Sequence, residues 1–263
     1  MSLRAAVNDS AVVTWRNLKR VPRIPELAIF AILQSVMFVL LFAFVFGGAI
    51  DVPGGGYRAY LMPGIFAQNL AFAAATTAIG ITDDMNKGLV DRFRSLPMAR
   101  SAFLTGRTLS DVVYNAGILL VLMLSGLAVG WRVRDGVLQF LAGCALALLF
   151  AYAMSWLGVW LGQLVPTVEV ANQVAFTTIF PITFLSNNFV PSDTLPAVLQ
   201  PIAEWNPVSN LTAALRELFG NPTAAPSGSF PSEHAVILTV GWAVLMVAVF
   251  APLATRSYRT TSR

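Results

Sequence analysis

Long apolar runs alternate with short polar ones along the whole chain, and the runs are long enough for helices rather than strands. Leu27 to Ile50 holds only Gln34 and Ser35 as strongly polar members. As a helix it extends about 36 Å, against about 30 Å for the hydrocarbon core of a bilayer, which predicts a first membrane span over 27–50. A second, over 60–81, is softened by Pro63, Gly64, Gln68, Asn69, Thr76 and Thr77. Such polar groups need protein or a pathway beside them rather than lipid. A third span is predicted over 109–131, with Asp111, Tyr114 and Asn115 in its first turns near the membrane surface. The fourth, over 138–162, carries Gly143, Ala147, Ala151 and Gly158, small residues that let helices approach closely. The fifth, 168–190, is rich in Asn, Gln, Thr and Ser, and Pro181 predicts a kink. The sixth is 234–254.

Three segments outside the spans also carry helical patterns. Asp9 to Arg23 mixes Val12, Val13, Trp15 and Leu18 with Arg16, Lys19, Arg20 and Arg23, the pattern of a basic amphipathic helix at the headgroup boundary. Thr82 to Arg100 is the one long charged stretch between apolar runs. Thr82 or Asp83 is a candidate N-cap, and Asp83 and Asp84 put negative charge at a positive helix end. Lys87 and Asp91 sit at i,i+4, Leu89, Val90, Phe93 and Leu96 form an apolar side, and Pro97 ends the helix. Val208 to Phe219, inside a proline-rich connection, puts Leu211, Leu215, Leu218 and Phe219 on one side and is predicted to dip into the outer face of the bilayer as a short re-entrant or amphipathic helix.

Composition agrees with the pattern. The chain of 263 residues is 56% apolar and 11% charged, whereas soluble domains average about 25% charged, so there is too little charge to clothe a water-soluble surface. A net charge of +4 in a soluble protein would raise nucleic acid as a partner. Here the basic residues fall outside the apolar runs and read as orientation signals. Arg4, Arg16, Lys19, Arg20 and Arg23 precede the first span; Lys87, Arg92, Arg94, Arg100 and Arg107 lie between the second and third; Arg256, Arg259 and Arg263 follow the last. Only Arg58, Arg132, Arg134 and Arg216 fall on the other side. Six spans with that bias place both termini and Thr82 to Arg100 in the cytoplasm. No apolar stretch precedes a small-residue cleavage site near Met1, so no signal peptide is expected.

Candidate chemistry is thin. Cys144 is the single cysteine, which excludes an intrachain disulfide and a paired-cysteine metal site. Glu169, three residues after Pro166, reads as a helix first-turn carboxylate at the membrane surface rather than a proton relay. His234 has no second histidine near it, and no G-x-S-x-G nucleophile turn occurs, so neither a metal centre nor a hydrolase triad is expected. What remains is a possible pathway. Phe66, Phe72, Phe176 and Phe180 lie on the spans with the most polar residues, beside Gln68, Asn69, Asn172, Gln173 and Thr177. Neutral hydrogen-bonding groups next to aromatic faces suit a bulky amphipathic molecule better than a small ion. Hydrogen bonding between helices explains the same residues nearly as well.

Two motifs are more specific. The segment DDMNKGLVDRFRSLPMARSAFLTGR, from Asp83 to Arg107, resembles the region after the second span of type-2 ABC exporter permeases, and DRFRSLPMAR within it is similar to the daunorubicin-resistance branch of bacterial drug exporters. NPVSNLTAALRELFG, Asn206 to Gly220, is similar to an element these permeases carry before the last span. The resemblance implies an all-α integral membrane protein, one transmembrane permease domain over 1–263 with six spans and a cytoplasmic coupling segment at 82–100. It also implies a bacterial cell membrane as its place. Its partners would be a second permease subunit, identical or related, membrane lipid, and a separate nucleotide-binding subunit that carries ATP and Mg. No G-x-x-x-x-G-K-S/T phosphate loop occurs here, so the chain has no cofactor site of its own and is no enzyme by itself.

On that basis the coupling residues are Asp83, Asp84, Lys87, Gly88, Asp91, Arg92, Phe93, Arg94, Leu96 and Pro97. The charges would pair across an interface, Phe93 and Leu96 would anchor it, and Gly88 would allow close backbone approach. The expected function is outward movement of a hydrophobic drug-like or lipid-like molecule. Export of polysaccharide or a lipid-linked glycan is the alternative within the same architecture. An ion-coupled carrier is the rival from another class, but no internal repeat is evident and the span centres are nearly free of charge.

Overall fold

A computed structural model describes residues 3–19, 25–45, 56–89, 92, 102–189, 195–223 and 228–260. Among them the regular structure is entirely helical: α1 Leu3–Leu18, α2 Pro25–Val45, α3 Tyr57–Ala71, α4 Ala73–Asn86, α5 Ala102–Ala128, α6 Val137–Leu164, α7 Val168–Phe184, α8 Gln200–Trp205, α9 Pro207–Leu218, α10 Phe230–Glu233 and α11 Ala235–Thr260. Helices occupy each of the six apolar runs. Four are long and apolar enough to cross a membrane: Tyr57–Asn86, which joins α3 and α4 at Phe72, then Ala102–Ala128, Val137–Leu164 and Ala235–Tyr258. Ile32–Val45 is a shorter apolar stretch, and α7 has 17 residues.

α6 is the centre of the bundle, with α4 on one side and α11 on another. The close approach to α4 is backbone on backbone. A Cβ at Gly158 would lie 2.3 Å from Ala74 O, and one at Gly162 would lie 2.5 Å from Ala78 O. Small residues at i and i+4 on one helix thus face small residues at i and i+4 on the other, and Thr82 Oγ1 donates to Gly162 O at 2.8 Å. Two apolar clusters result. One, at the end where α1 lies, gathers Val13, Ile81, Phe103, Leu104, Trp156, Val159, Ala254 and Tyr258. The larger fills the rest of the bundle, with Phe66, Trp131 and Phe219 edge to face near its far end.

α1 spans Leu3–Leu18, whereas the amphipathic pattern covers 9–23, and Arg20 and Arg23 lie outside the described residues. Val13 is buried against Gly106 of α5, Thr14 Oγ1 donates to Gly106 O, and Trp15 and Val12 are exposed on the other side.

One expectation is sharpened and one corrected. α9, read as an amphipathic or re-entrant helix, lies inside the bundle rather than at its edge. Val208 through Thr212 and Ala214 through Arg216 are all buried. Its polar side chains are spent inside, on the turn that follows α7. Asn206 Nδ2 donates to Ile182 O and Leu185 O at 2.6 and 3.1 Å, and Ser209 Oγ accepts from Asn187 N at 3.0 Å. Arg216 Nη2 donates to Asn187 O and Asn188 O at 3.0 and 3.1 Å. The correction concerns α5, which begins at Ala102 rather than Leu109, so Asp111 lies well inside the helix and not in its first turns. The helix runs through its charged residues because those charges have partners.

Candidate functional site

The charged region at the α1 end starts on a helix that does not stop where a cap is available. Thr82 and Asp83 were candidate N-caps, yet α4 continues through Asn86 with no break. Thr82 Oγ1 bonds back to Ala78 O as well as to Gly162, so it serves the existing helix rather than starting a new one. The terminus comes at Lys87, whose N–H reaches Asp83 O, followed by Gly88 at φ 66°, the left-handed conformation that glycine takes at helix ends. Lys87 Nζ lies 2.7 Å from Asp83 Oδ2, one turn back. Arg92 is exposed, and its N–H reaches Gly88 O at 3.3 Å. Asp91, Phe93, Arg94, Leu96 and Pro97 lie outside the described residues.

Asp84 goes the other way. It is 1% exposed and faces α5, with its Oδ2 3.5 Å from Arg107 Nη1. Arg107 Nε lies 3.3 Å from the Asp111 carboxylate, one turn along α5, and Thr77 Oγ1 donates to Asp111 Oδ2 at 2.6 Å. A mostly buried cation therefore sits between two carboxylates from two helices. Gly80 makes room for it, since a Cβ there would lie 2.0 Å from Arg107 Nη2. Sequence reasoning treated Arg107 as an orientation charge and Asp111 as a surface residue. The i,i+4 spacing of Arg107 and Asp111 was the available signal.

The proposed pathway residues divide into two groups. Phe66 is fully buried in the aromatic core with Trp131 and Phe219. Gln68 is buried with Oε1 unpartnered, and Asn69 Nδ2 donates to Ser35 Oγ at 3.2 Å, a bond between α3 and α2. The others gather on α7. That helix buries Ala171, Ala175, Ile179 and Thr183, a stripe at i,i+4 spacing, and leaves Asn172, Gln173, Phe176, Thr177 and Phe180 exposed. Gln173 Nε2 reaches Thr177 Oγ1 at 3.4 Å. Phe72 lies 6.0 Å from Phe176 between ring centres, Phe176 5.0 Å from Phe180, and Phe180 4.2 Å from Phe184. The ladder continues through Phe189 and Phe42 to Phe38. Sequence reasoning missed these last four rings. Phenylalanine at 176, 180 and 184 was the visible part of the pattern.

The profile of the ABC-2 type transporter family matches residues 10–219, from the middle of α1 to the end of α9. The chain belongs to the ABC-2 type transporter family. A daunorubicin resistance ABC transporter permease of Streptomyces coeruleorubidus is 30% identical over 254 residues, 97% of this chain and 87% of its own. A probable doxorubicin resistance permease of Mycobacterium tuberculosis is 25% identical over 225 residues, 85% of this chain and 81% of its own. A second doxorubicin resistance permease of that organism is 25% identical over 205 residues, 78% and 70%. This ABC-2 permease is thus a multi-pass membrane protein of the daunorubicin-resistance branch. Within it the segment Tyr57–Asn86 contributes to both regions, Asp84 to the charged end and Phe72 to the aromatic face of α7.

Proposed function

We propose that this permease is the membrane subunit of a bacterial exporter that moves a hydrophobic, amphipathic drug-like or lipid-like molecule outward, using ATP hydrolysed on a separate nucleotide-binding subunit. The observation that carries this reading is the near full-length likeness to a permease named for daunorubicin resistance. A second permease, identical or related, completes the pathway. The six apolar helices all cross the membrane, with both termini and the end of α4 in the cytoplasm. The ATPase docks on the segment after α4, where Asp83, Lys87, Gly88 and Arg92 lead into Asp91, Phe93, Arg94, Leu96 and Pro97. Asp84, buried against Arg107, acts from inside the chain rather than across the interface. The cargo passes the polar and aromatic face of α7, where amide and hydroxyl groups alternate with stacked phenyl rings.

The test is co-purification. Solubilised permease is expected to carry a soluble ATPase with it, and reversing the charges of Asp91, Arg92 and Arg94 together should release that ATPase and abolish daunorubicin efflux from cells. Retention of the ATPase and of efflux in the reversed variant would remove the docking assignment.

A further inference from the structure

The two helices that leave the proposed docking segment are tied to each other by buried charge. α4 and α5 are the described helices before and after that segment, and Asp84 and Arg107 stand near those two helix ends, one on each helix. On α4 the face toward α5 is Thr77, Gly80 and Asp84, spaced i, i+3, i+7. On α5 the facing residues are Arg107 and Asp111, spaced i, i+4. Two contacts cross between the helices, Asp84 to Arg107 and Thr77 to Asp111, while Gly80 leaves the space that the guanidinium fills. Elsewhere α4 lies chiefly on α6 and touches α5 only sparingly.

A buried ion pair is a poor way to gain stability. Desolvation consumes much of its attraction, and apolar residues of the same volume often hold two helices as well. What charge and hydrogen bonds provide is register, because the fork of an arginine meets a carboxylate in few geometries. We infer that Asp84, Arg107, Asp111 and Thr77 form a clamp that makes the bases of the second and third spans move as one body, so that displacement of the docking segment reaches the membrane helices instead of being absorbed at its hinges. Gly88, at φ 66°, is such a hinge, lying four residues beyond Asp84. α1 adds to the same base, because Thr14 and Asn17 bond to Gly106 O and Ser110 Oγ on either side of Arg107. Asp84 is therefore a positioning residue for transport, and this role rests on the docking reading above.

The experiment compares three variants of the full permease, purified with its ATPase and reconstituted in vesicles, with daunorubicin as the transported probe. Asp84→Asn keeps side-chain shape and leaves the Arg107–Asp111 pair intact. It should retain the ATPase at wild-type amounts and hydrolyse ATP within about twofold of wild type, while daunorubicin moved per ATP falls tenfold or more. Asp84→Glu should recover most of that ratio, which a merely structural role would not require. Gly80→Ala keeps every charge but displaces the guanidinium, and it should lower the ratio too; it decides the matter where Asp84→Asn does not accumulate. Wild-type daunorubicin per ATP in Asp84→Asn, or in Gly80→Ala, overturns the clamp. The Asp91/Arg92/Arg94 reversal separates the two ideas. If it releases the ATPase while Asp84→Asn transports normally, the docking reading stands and the clamp falls; if it retains the ATPase and still transports, the docking reading itself fails.

Discussion

Arg216 shows how much of a residue's role depends on partners far away in sequence. It is 1% exposed, its Nε donates to Tyr60 O at 2.9 Å, its Nη2 donates to Asn187 O and Asn188 O, and its guanidinium lies 3.4 Å from the centre of the Tyr60 ring. None of these partners is a carboxylate. The charge is held by carbonyl dipoles and a π face, an arrangement arginine tolerates better than lysine because its charge is delocalised and weakly hydrated. By sequence it counted as one more arginine on the outer side, since nothing local marks residues 60, 187 and 188 as its neighbours. Replacing it with methionine keeps the length of the side chain and deprives three carbonyls of this donor; Asn187 O keeps the Tyr60 hydroxyl at 3.1 Å, while a buried acceptor left without a donor costs about 1–3 kcal/mol. Arg216→Met should therefore lower the unfolding temperature of the detergent-solubilised protein by several degrees, and Arg216→Lys should recover only part of it. A methionine variant that melts like wild type would show that the carbonyls find other donors.

At the level of elements, hydropathy located the apolar helices, and amphipathic spacing located α9 and the second half of α1, because both signals are local. Helix ends were harder to read. α4 overran its candidate cap and α5 began a turn and more before its apolar run, in each case because a charged residue had a partner on another helix. The small residues of the fourth run were legible as a close-packing signal, but not their target. They serve α4 within the chain, through Gly158 and Gly162 against Ala74 and Ala78. Two glycines therefore respond oppositely to the same change. Gly158→Ala drives a Cβ against Ala74 O, where backbone must shift, and should destabilise by about 1–3 kcal/mol. Gly241 on α11 has nothing within 4 Å of an added Cβ, so Gly241→Ala should be neutral or stabilise by up to about 1 kcal/mol through helix propensity. Thermal unfolding of the two variants in one detergent measures the contrast, and equal effects would contradict the packing assigned to α4 and α6.

For the whole molecule the number of crossings turns on helix length. α2 and α7 are the two in question. α2, with 21 residues, extends about 32 Å, close to the hydrocarbon thickness; α7, with 17, extends only about 26 Å. A helix that ends short of the interface leaves backbone carbonyls at membrane depth, which is tolerated only where protein satisfies them. The turn after α7 meets that condition. Asn206 covers Ile182 O and Leu185 O, Ser209 accepts from Asn187 N, and Arg216 covers Asn187 O and Asn188 O, all from the buried helix α9. Six crossings, as proposed, therefore require that the element from Asn206 to Gly220 complete the short helix α7 from inside. Single cysteines in a Cys144→Ser background test it with a membrane-impermeant maleimide on intact cells. Cysteines at Gly56 and Val198, both exposed, should label from outside, whereas those at Lys19 and Pro166 should label only after permeabilisation. Labelling of Lys19 and Gly56 from one side would mean that α2 does not cross, and labelling of Pro166 and Val198 from one side would mean the same for α7. In the second case the carbonyls that α9 covers would face water, and the buried polar stripe of Asn206, Ser209 and Arg216 would have no reason to be there.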